Sequence, residues 1–191
     1  RYKVGQRDLQ EIAIIRKLQH KHIIQLAGSY TRGPYLGILL YPVATCDMAT
    51  FLEDIDFMQS HEPSTARARL WESYGCIASA MAYLHSNSIR HKDLKPLNIL
   101  LARDGLWITD FGHSSDFSDY SDSATNGGER GTLKYCAPEV AAYERSGRAA
   151  DIFSLGCVFF EMAALRHYSL EEIKELRPAM DRSFHNNLHT I

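Results

Sequence analysis

The spacing of apolar residues predicts that the chain begins with one helix followed by two strands. Apolar residues recur at helical spacing over residues 8–19. Two further apolar runs, over residues 23–30 and 35–41, are typical of β-strands. The four residues between these runs, 31–34, end in Gly-Pro and favour a hairpin turn.

The rest of the chain is predicted to be mainly helical. Its predicted elements are, in order, a short helix over 47–54, a long amphipathic helix over 64–85, strands over 99–101 and 106–109, a buried helix over 151–165 that is apolar nearly all round, and a polar helix over 169–176. The pair Asp104-Gly105 favours a hairpin between the two strands. Residues 114–131 are rich in Ser, Asp and Gly and lack apolar periodicity, as functional or disordered loops do. Residues 185–191 show no clear pattern.

Composition and charge exclude several classes of protein. The 191 residues are 45% apolar and 23% charged, which is typical of a globular chain. The 21 basic and 23 acidic side chains give a net charge of −2, so we expect no nucleic-acid partner. No apolar run approaches the roughly 18 residues of a membrane helix, so we expect no membrane partner. The four cysteines are far apart and include no C-x-x-C pair, which favours reduced thiols in an intracellular compartment, the cytoplasm or the nucleus.

One stretch carries the candidate chemistry. Residues 91–98 read H-K-D-L-K-P-L-N, and D-F-G follows at residues 110–112. Carboxylate and amide oxygens are hard ligands that suit Mg²⁺ when it bridges to substrate phosphates. A further carboxylate can accept a hydroxyl proton, and a lysine can neutralise the charge that builds on a phosphoryl group in transfer.

This pattern resembles the eukaryotic protein kinase family, whose catalytic loop reads H-R-D-L-K-P-x-N and whose metal motif is D-F-G. Residues 131–139 (G-T-L-K-Y-C-A-P-E) resemble the family's segment ending in A-P-E, and residues 151–156 (D-I-F-S-L-G) resemble its buried helix beginning D-x-W-S-x-G. Glu11 precedes His20 by nine residues, as the family's helix glutamate precedes its H-P-N-I segment. Several motifs in the right order and spacing make the resemblance specific.

The resemblance implies a two-lobed α+β fold and a partial protein kinase domain over residues 1–191. Residues 1–41 would be a remnant of the small lobe with one helix and two strands, residues 42–47 the hinge, and residues 48–191 a mainly helical large lobe, incomplete at its C-terminus. No G-x-G-x-x-G loop occurs in the sequence, and no V-A-I-K strand precedes Glu11. We therefore expect the small lobe to be truncated.

The resemblance also implies roles for the motif residues. Asp93 would be the catalytic base that orients the substrate hydroxyl, and Lys95 would contact the γ-phosphate of ATP. Asn98 and Asp110 would hold Mg²⁺. Asp151 would bond the backbone of the catalytic loop. The side chains that link the two lobes would be those of Leu26, Ile15, Phe111, His91 and Asp151.

By the same resemblance, the adenine of ATP would bind at the hinge. Leu40 would be the gatekeeper residue, and the backbone of Tyr41 and Val43 would meet the base. Leu100 would form the floor of the adenine pocket, and Asp47 would lie near the ribose.

Two interpretations of Glu11 remain open. The resemblance implies a catalytic role, in which Glu11 pairs with a lysine of the small lobe. The alternative is structural, because Asp8 and Glu11 have the spacing of a capping box at the start of the first helix.

The implied function is that of a protein serine/threonine kinase with ATP and Mg²⁺, impaired in this chain by the truncation. Its partners would be a protein substrate with Ser or Thr and an upstream activating kinase. Lys95 and the Gly131-Thr132 pair resemble the serine/threonine branch of the family. Two alternatives stay open, namely a pseudokinase or inactive fragment that acts by binding, and a small-molecule phosphotransferase that shares the H-x-D…N…D core.

The first prediction concerns the loop over residues 114–131. Lys92 stands where the family has arginine, and a lysine offers a phosphate only a point charge in place of a two-pronged fork. We expect phosphate on this loop, at Ser123 or Thr125, with Lys92 as its receiver and only a modest gain in activity. Phosphopeptide mapping of active protein from its native host measures this, and an unmodified loop contradicts it.

Overall fold

The computed structural model describes residues 5–58, 64–118, 131–178 and 180–191. These residues form helices and short antiparallel strands, which confirms the α+β class. The predicted phosphorylation sites Ser123 and Thr125 lie outside the described residues.

The first part of the chain packs one helix beside a two-stranded sheet. Helix α1 spans Gln6–Lys17, and strands β1 (Gln25–Arg32) and β2 (Tyr35–Tyr41) pair antiparallel. Gly33 takes φ +60°, a left-handed conformation that glycine adopts without steric cost, and this reverses the chain between the strands. The predicted helix, strands and hairpin turn are therefore confirmed.

The start of α1 differs from the predicted capping box. Gly5 is the N-cap, and the Asp8 carboxylate accepts the Gly5 N–H at 2.8 Å. Asp8 is thus the third residue of the helix, because the chain becomes helical at Gln6, two residues before the apolar pattern begins. The capping-box interpretation of Glu11 is therefore wrong, and its carboxylate is available for another role.

The larger part of the chain is mainly helical and carries two small sheets. Its helices are α2 (Met48–Phe57), α3 (Ser64–Ser86), α4 (Pro138–Ala141), α5 (Arg148–Ala164) and α6 (Leu170–Glu175). Its strands are β3 (Cys46–Asp47), β4 (Ile89–Arg90), β5 (Ile99–Ala102), β6 (Gly105–Ile108) and β7 (Ser115–Asp116). Strands β3, β5 and β6 form one sheet in that order, and β4 pairs with β7. The stretch 91–98 lies between β4 and β5, so both sheets hold its ends.

The core is built mainly from α3, α5 and the strands beside them. Helix α3 buries Ile77, Met81 and Leu84, each at most 1% exposed, on one stripe. Helix α5 buries Val158, but Ile152 is 51% exposed. The expectation of a helix buried all round is therefore wrong. Helix α5 packs against α3, α6 and residues 133–135, among other neighbours, but leaves Ile152 exposed to solvent. None of the helices within the described ranges is long and apolar enough to cross a membrane.

The two parts of the chain join at β6. The Ile24 N–H donates to the Ile108 carbonyl at 3.0 Å, and the Ile108 N–H donates to the His22 carbonyl at 2.9 Å. In the preceding loop, the ring of His20 stacks on Tyr83 of α3 with a centroid separation of 4.9 Å. Since β6 leads directly into residues 110–112, these contacts fix α1 relative to the D-F-G sequence.

Candidate active site

The predicted catalytic base lies in a buried loop between β4 and β5. Asp93 is 6% exposed. Lys95 Nζ donates to its Oδ2 at 2.6 Å, and the Thr132 N–H donates to its Oδ1 at 2.6 Å. Lys95 Nζ also donates to Thr132 Oγ1 at 2.6 Å. The structure therefore places Asp93 beside Lys95 and adds Thr132 as a third member of the cluster.

The surroundings of Asp93 favour its ionised form. Burial raises the pKa of this carboxyl, but hydrogen bonds from Lys95 and Thr132 outweigh burial and leave the pKa below its ordinary value. The Asp93 and Lys95 side chains are only 5% and 17% exposed, so solvent screens their attraction weakly. At neutral pH Asp93 is a carboxylate that can accept a hydrogen bond from a hydroxyl group.

Asn98 and Asp110 are brought together through the backbone. Asn98 ends a short 3-10 turn, and its Nδ2 donates to the Asp93 carbonyl at 2.9 Å, which leaves the amide oxygen for another partner. The Thr109 N–H donates to the Asn98 carbonyl at 3.0 Å. This bond holds the residue before Asp110 against Asn98.

The donor groups of these two residues fit Mg²⁺ shared with phosphates. An amide oxygen and a carboxylate are hard oxygen ligands, and Mg²⁺ commonly uses one or two carboxylates together with waters and substrate phosphates. Within the described ranges, no three His, Cys, Asp or Glu side chains assemble into a closed metal cage. An open site of this kind suits a cation that arrives with its substrate.

Two residues of the site have a left-handed backbone. Lys92 has φ +68° and Asp110 has φ +64°, and such conformations cost non-glycine residues about 1 kcal/mol or more. Asp151 stabilises the first of them, because its Oδ1 accepts the Lys92 N–H at 2.8 Å and its Oδ2 accepts the His91 N–H at 2.9 Å. The predicted bond from Asp151 to the loop backbone is confirmed.

The predicted link between the lobes passes through the rings of His91 and Phe111. Their centroids lie 5.3 Å apart with an interplanar angle of 57°. His91 Nε2 lies 3.0 Å from the Thr109 carbonyl. Phe111 and Ile15 are 1% and 2% exposed and belong to one apolar core, with Leu26 packed at its edge. The D-F-G phenylalanine thus lies in the core that α1 shares with the larger part.

Glu11 lies beside the turn at residues 110–112. Burial and the nearby carboxylates of Asp110 and Asp8 raise the pKa of Glu11 above its ordinary value, against a smaller opposing effect of a backbone hydrogen bond at Phe111. No lysine or arginine in the described part of the chain forms an ion pair with Glu11. Glu11 and Asp110 therefore repel each other, and a cation or a proton between them would relieve the repulsion.

The predicted adenine contacts lie around the turn from β2 to β3. Leu40 and Leu100 are half-buried and pack against the core, and Leu100 pairs with Asp47 across β3 and β5. The side chains of Tyr41 and Val43 are 61% and 84% exposed, which suits residues expected to meet a base through their backbone. Asp47 also caps α2, since its Oδ1 accepts an N–H of the first turn at 2.9 Å. Contact of these residues with adenine stays a prediction.

Comparison with known proteins identifies the family. A family model described as the protein kinase domain matches residues 2–187. The chain belongs to the protein kinase family. The resemblance expected from its motifs is thereby confirmed, together with the kinase-like fold.

Three relatives illustrate the similarity of this kinase domain to known proteins. Mitogen-activated protein kinase kinase kinase 6 of Homo sapiens is 34% identical over 161 residues, which is 82% of this chain and 12% of that protein. Mitosis inhibitor protein kinase wee1 of Schizosaccharomyces pombe is 36% identical over 162 residues, 82% of this chain and 17% of that protein. Serine/threonine-protein kinase RUNKEL of Arabidopsis thaliana is 35% identical over 157 residues, 80% of this chain and 11% of that protein. The chain thus spans only a small share of each relative's length.

Sequence reasoning missed how the Gly131-Thr132 pair of this kinase domain acts. The pair does more than resemble one branch of the family, because Thr132 binds both Asp93 and Lys95. A Cβ atom at Gly131 would lie 2.5 Å from the Lys92 carbonyl oxygen and 2.6 Å from Asp93 Oδ1. Because only glycine permits this approach, the glycine before Thr132 was the signal for a contact between the two segments.

His85, at the end of α3, was also missed. Its Nε2 lies 2.9 Å from Asp151 Oδ2. Burial raises the pKa of Asp151, but hydrogen bonds from His85 and from the Lys92 and His91 N–H groups outweigh it and lower the pKa overall. No local pattern in one sequence distinguishes His85 from an ordinary helix-end residue.

Replacing Glu11 with glutamine should raise the thermal midpoint of the 191-residue chain at pH 7. The raised pKa of Glu11 means that the folded chain disfavours the charged carboxylate. The contribution of Glu11 to the free energy of unfolding is therefore fully present below its unfolded pKa and is lost as pH rises through its folded pKa. Since 1 kcal/mol corresponds to about 2–4 °C in a domain of this size and solvent screens a half-exposed charge, we expect a gain of about 1–2 °C.

Melting curves of the wild type and Glu11→Gln at pH 7 and at about pH 4, near the ordinary pKa of glutamate, measure this gain. The gain should shrink at the lower pH, and exposed Glu53→Gln is the matched control that should show none. A lower midpoint for Glu11→Gln at pH 7 would mean that a cation compensates Glu11 after all.

Proposed function

We propose that this domain transfers the γ-phosphoryl group of ATP to serine and threonine hydroxyl groups of proteins, with Mg²⁺ held by Asn98 and Asp110. The observation that carries the proposal is the buried, ionised carboxylate of Asp93, bonded to both Lys95 and Thr132. Membership of the protein kinase family supports it.

Asp93 would orient the acceptor hydroxyl. In the transfer, the acceptor oxygen forms a bond to the γ-phosphorus, the bond from that phosphorus to the ADP oxygen breaks, and the hydroxyl proton passes to Asp93. A lowered pKa makes Asp93 a weak base, so we expect it to act mainly by positioning the hydroxyl and to take the proton late.

Lys95 would neutralise the charge that develops on the transferring group. Its ammonium group lies 2.6 Å from Asp93 Oδ2 and 2.6 Å from Thr132 Oγ1. It is therefore held beside the carboxylate that would receive the acceptor hydroxyl. A cation fixed there stabilises a phosphoryl oxygen without reorganising during the reaction.

Asn98 and Asp110 would bind the cation, and the hinge would bind the base. When bound, Mg²⁺ would neutralise part of the charge on the phosphates of ATP. Asn98 would offer Oδ1, because its Nδ2 is engaged with the Asp93 carbonyl. Leu40 and Leu100 would contact adenine, with Asp47 near the ribose.

The acceptor is proposed to be a protein. Gly131 and Thr132, at the start of residues 131–139, lie against Lys92 and Asp93. Residues 131–139 would form a platform for a peptide, which disfavours a small-molecule phosphotransferase. Lys95 and the Gly131-Thr132 pair favour serine and threonine as acceptors. An upstream kinase acting on the loop over residues 114–131 would be a second partner.

A second candidate function is a kinase-like binding domain without transfer activity. The 191 residues contain no G-x-G-x-x-G loop, and Glu11 has no cationic partner in the ranges that the structure describes. Both observations favour impaired transfer by these residues alone, whereas the intact Asp93, Asn98 and Asp110 favour an active enzyme.

Asp93→Asn should abolish phosphoryl transfer while leaving the fold and nucleotide binding close to normal. Asparagine has the shape of aspartate but cannot take the proton, and loss of such assistance typically costs about 10²–10⁴ in rate. Turnover on a generic basic protein measures the loss, in a fusion that adds an upstream glycine-rich hairpin and a lysine able to pair with Glu11. Asp104→Asn, in the β5–β6 turn, is the matched control, and near-normal turnover of Asp93→Asn would refute the assigned role.

Asp110→Ala should remove most of the Mg²⁺ dependence of ATP binding. The wild-type domain should bind ATP more tightly with Mg²⁺, because Asp110 offers the carboxylate that shares the cation with the phosphates. Calorimetric titration of ATP with and without Mg²⁺ gives both affinities for each variant. Equal metal dependence in wild type and Asp110→Ala contradicts the proposed site.

The 191 residues by themselves should transfer phosphate at least about a hundredfold more slowly than a fusion that adds an upstream glycine-rich hairpin and lysine, because catalysis here is mostly positioning. Side-by-side assays on the same basic protein measure the ratio. If the two proteins prove equally active, another residue of this chain performs the task of the missing lysine.

A further inference from the structure

Three successive carbonyl groups in residues 132–136, a segment that contains the 3-10 turn Leu133–Tyr135, accept hydrogen bonds from outside the segment. The carbonyl oxygens of Lys134, Tyr135 and Cys136 are bonded to Phe184 N, Ser154 Oγ and His185 Nδ1, at 3.0, 2.8 and 3.0 Å respectively. Two of the three donors belong to the chain after α6, which showed no sequence pattern that predicts such a role. We call Arg177, Phe184 and His185 the C-terminal brace.

The brace contains a buried positive charge. The Arg177 side chain is 0% exposed, and its NH2 lies 3.8 Å from Glu161 Oε1. Its Cζ lies 4.1 Å from the centroid of the Phe184 ring. None of its guanidinium nitrogens has a hydrogen-bond partner in the described part of the chain. Among the described residues, Glu161 and the ring face of Phe184 therefore compensate this charge, so moving either of them away would leave it less stabilised.

Glu161 connects Arg177 to residues 132–136. Lys134 Nζ lies 2.5 Å from Glu161 Oε1, and the Tyr135 hydroxyl donates to Oε2 at 2.8 Å. One buried carboxylate thus binds a cation of the brace on one side and two side chains of the segment on the other. If Arg177 moved away, Lys134 would be the one cation among the described residues that remains beside Glu161.

The segment so held leads directly to the active site. Thr132 stands two residues before Lys134, and its N–H and hydroxyl bind Asp93 and Lys95. The Tyr135 N–H donates to the Thr132 carbonyl at 3.0 Å, which transmits the position of one to the other. Within the described ranges, the contacts of the brace reach this segment and α5, and none of them involves the hinge or the proposed Mg²⁺ ligands.

We propose that the C-terminal brace positions residues 132–136 so that Thr132 meets Asp93, and that it thereby sets the affinity of the domain for its protein acceptor. The effect on acceptor affinity rests on the proposed function, whereas the positioning of residues 132–136 does not. The brace residues act through Thr132 and do not touch the reacting atoms, so they are positioning residues.

Hydrogen exchange on the 191-residue chain tests the positioning half without any activity. Arg177→Met replaces the buried charge by an apolar side chain of similar length, and Arg182→Met, at an exposed site five residues on, is the matched control. We expect amide protection at Thr132, Tyr135 and Cys136 to fall at least about tenfold in Arg177→Met, with protection in β5 and β6 unchanged. Unchanged protection at these three amides, or an equal fall throughout the chain, overturns the inference.

Kinetics on the fusion with an upstream glycine-rich hairpin and lysine tests the predicted effect on acceptor affinity, with myelin basic protein as the acceptor. Arg177→Met should raise the KM for this acceptor at least about fivefold and leave the KM for ATP within about twofold. Arg177→Lys keeps the charge and should recover part of the loss, and Phe184→Leu should reproduce the defect if Arg177→Met fails to fold. If the wild type transfers no phosphate to protein, the proposed function is refuted. If the wild type is active and Arg177→Met has an unchanged KM for the acceptor, the proposed role of the brace is refuted.

Discussion

Asp151 stands in the first turn of α5, and its buried carboxylate accepts the backbone N–H groups of His91 and Lys92 and contacts the ring of His85. The residue is 2% exposed, so it would be costly to bury unless every one of these partners stayed in place. The loop that carries Asp93 has no helix or sheet of its own beyond a single 3-10 turn. Its conformation at Lys92 therefore depends on a side chain more than 50 residues away in sequence.

The remaining polar contacts of the site extend from this anchor. His91 Nε2 lies 3.0 Å from the Thr109 carbonyl, Asp93 accepts the Thr132 N–H, and Asn98 donates to the carbonyl of Asp93. Each contact joins a side chain to an irregular stretch of backbone, which is how a buried loop satisfies polar groups that a regular element would pair internally. Low exposure strengthens every one of these bonds and makes each unpaired group expensive. The arrangement is rigid because its members satisfy one another.

Much of the fold could be predicted from the sequence because apolar periodicity is a local signal. Helix α3 and the hairpin of β5 and β6 appear near their predicted bounds, since one buried stripe and one Asp-Gly turn define them. The cluster of Asp93 and Lys95 followed from the motif that contains them. Other features have no local signal. Gly5 caps α1 through its backbone N–H, which no side-chain pattern predicts. The sequence around Arg177 does not distinguish it from a surface arginine, because its partners Glu161 and Phe184 meet it only in the folded chain.

The left-handed backbone at Lys92 restricts which amino acids evolution can place there. Asparagine or glycine would keep the loop in shape at little conformational cost, while valine or isoleucine would add strain of about 1–3 kcal/mol at the residue that precedes Asp93. A substitution at this position therefore acts in two ways, through the charge of the side chain and through the backbone conformation that it allows. A protein that loses the positive charge here can keep the loop conformation, so the proposed binding of a phosphate at this position can be lost while the Asp93 carboxylate stays in place.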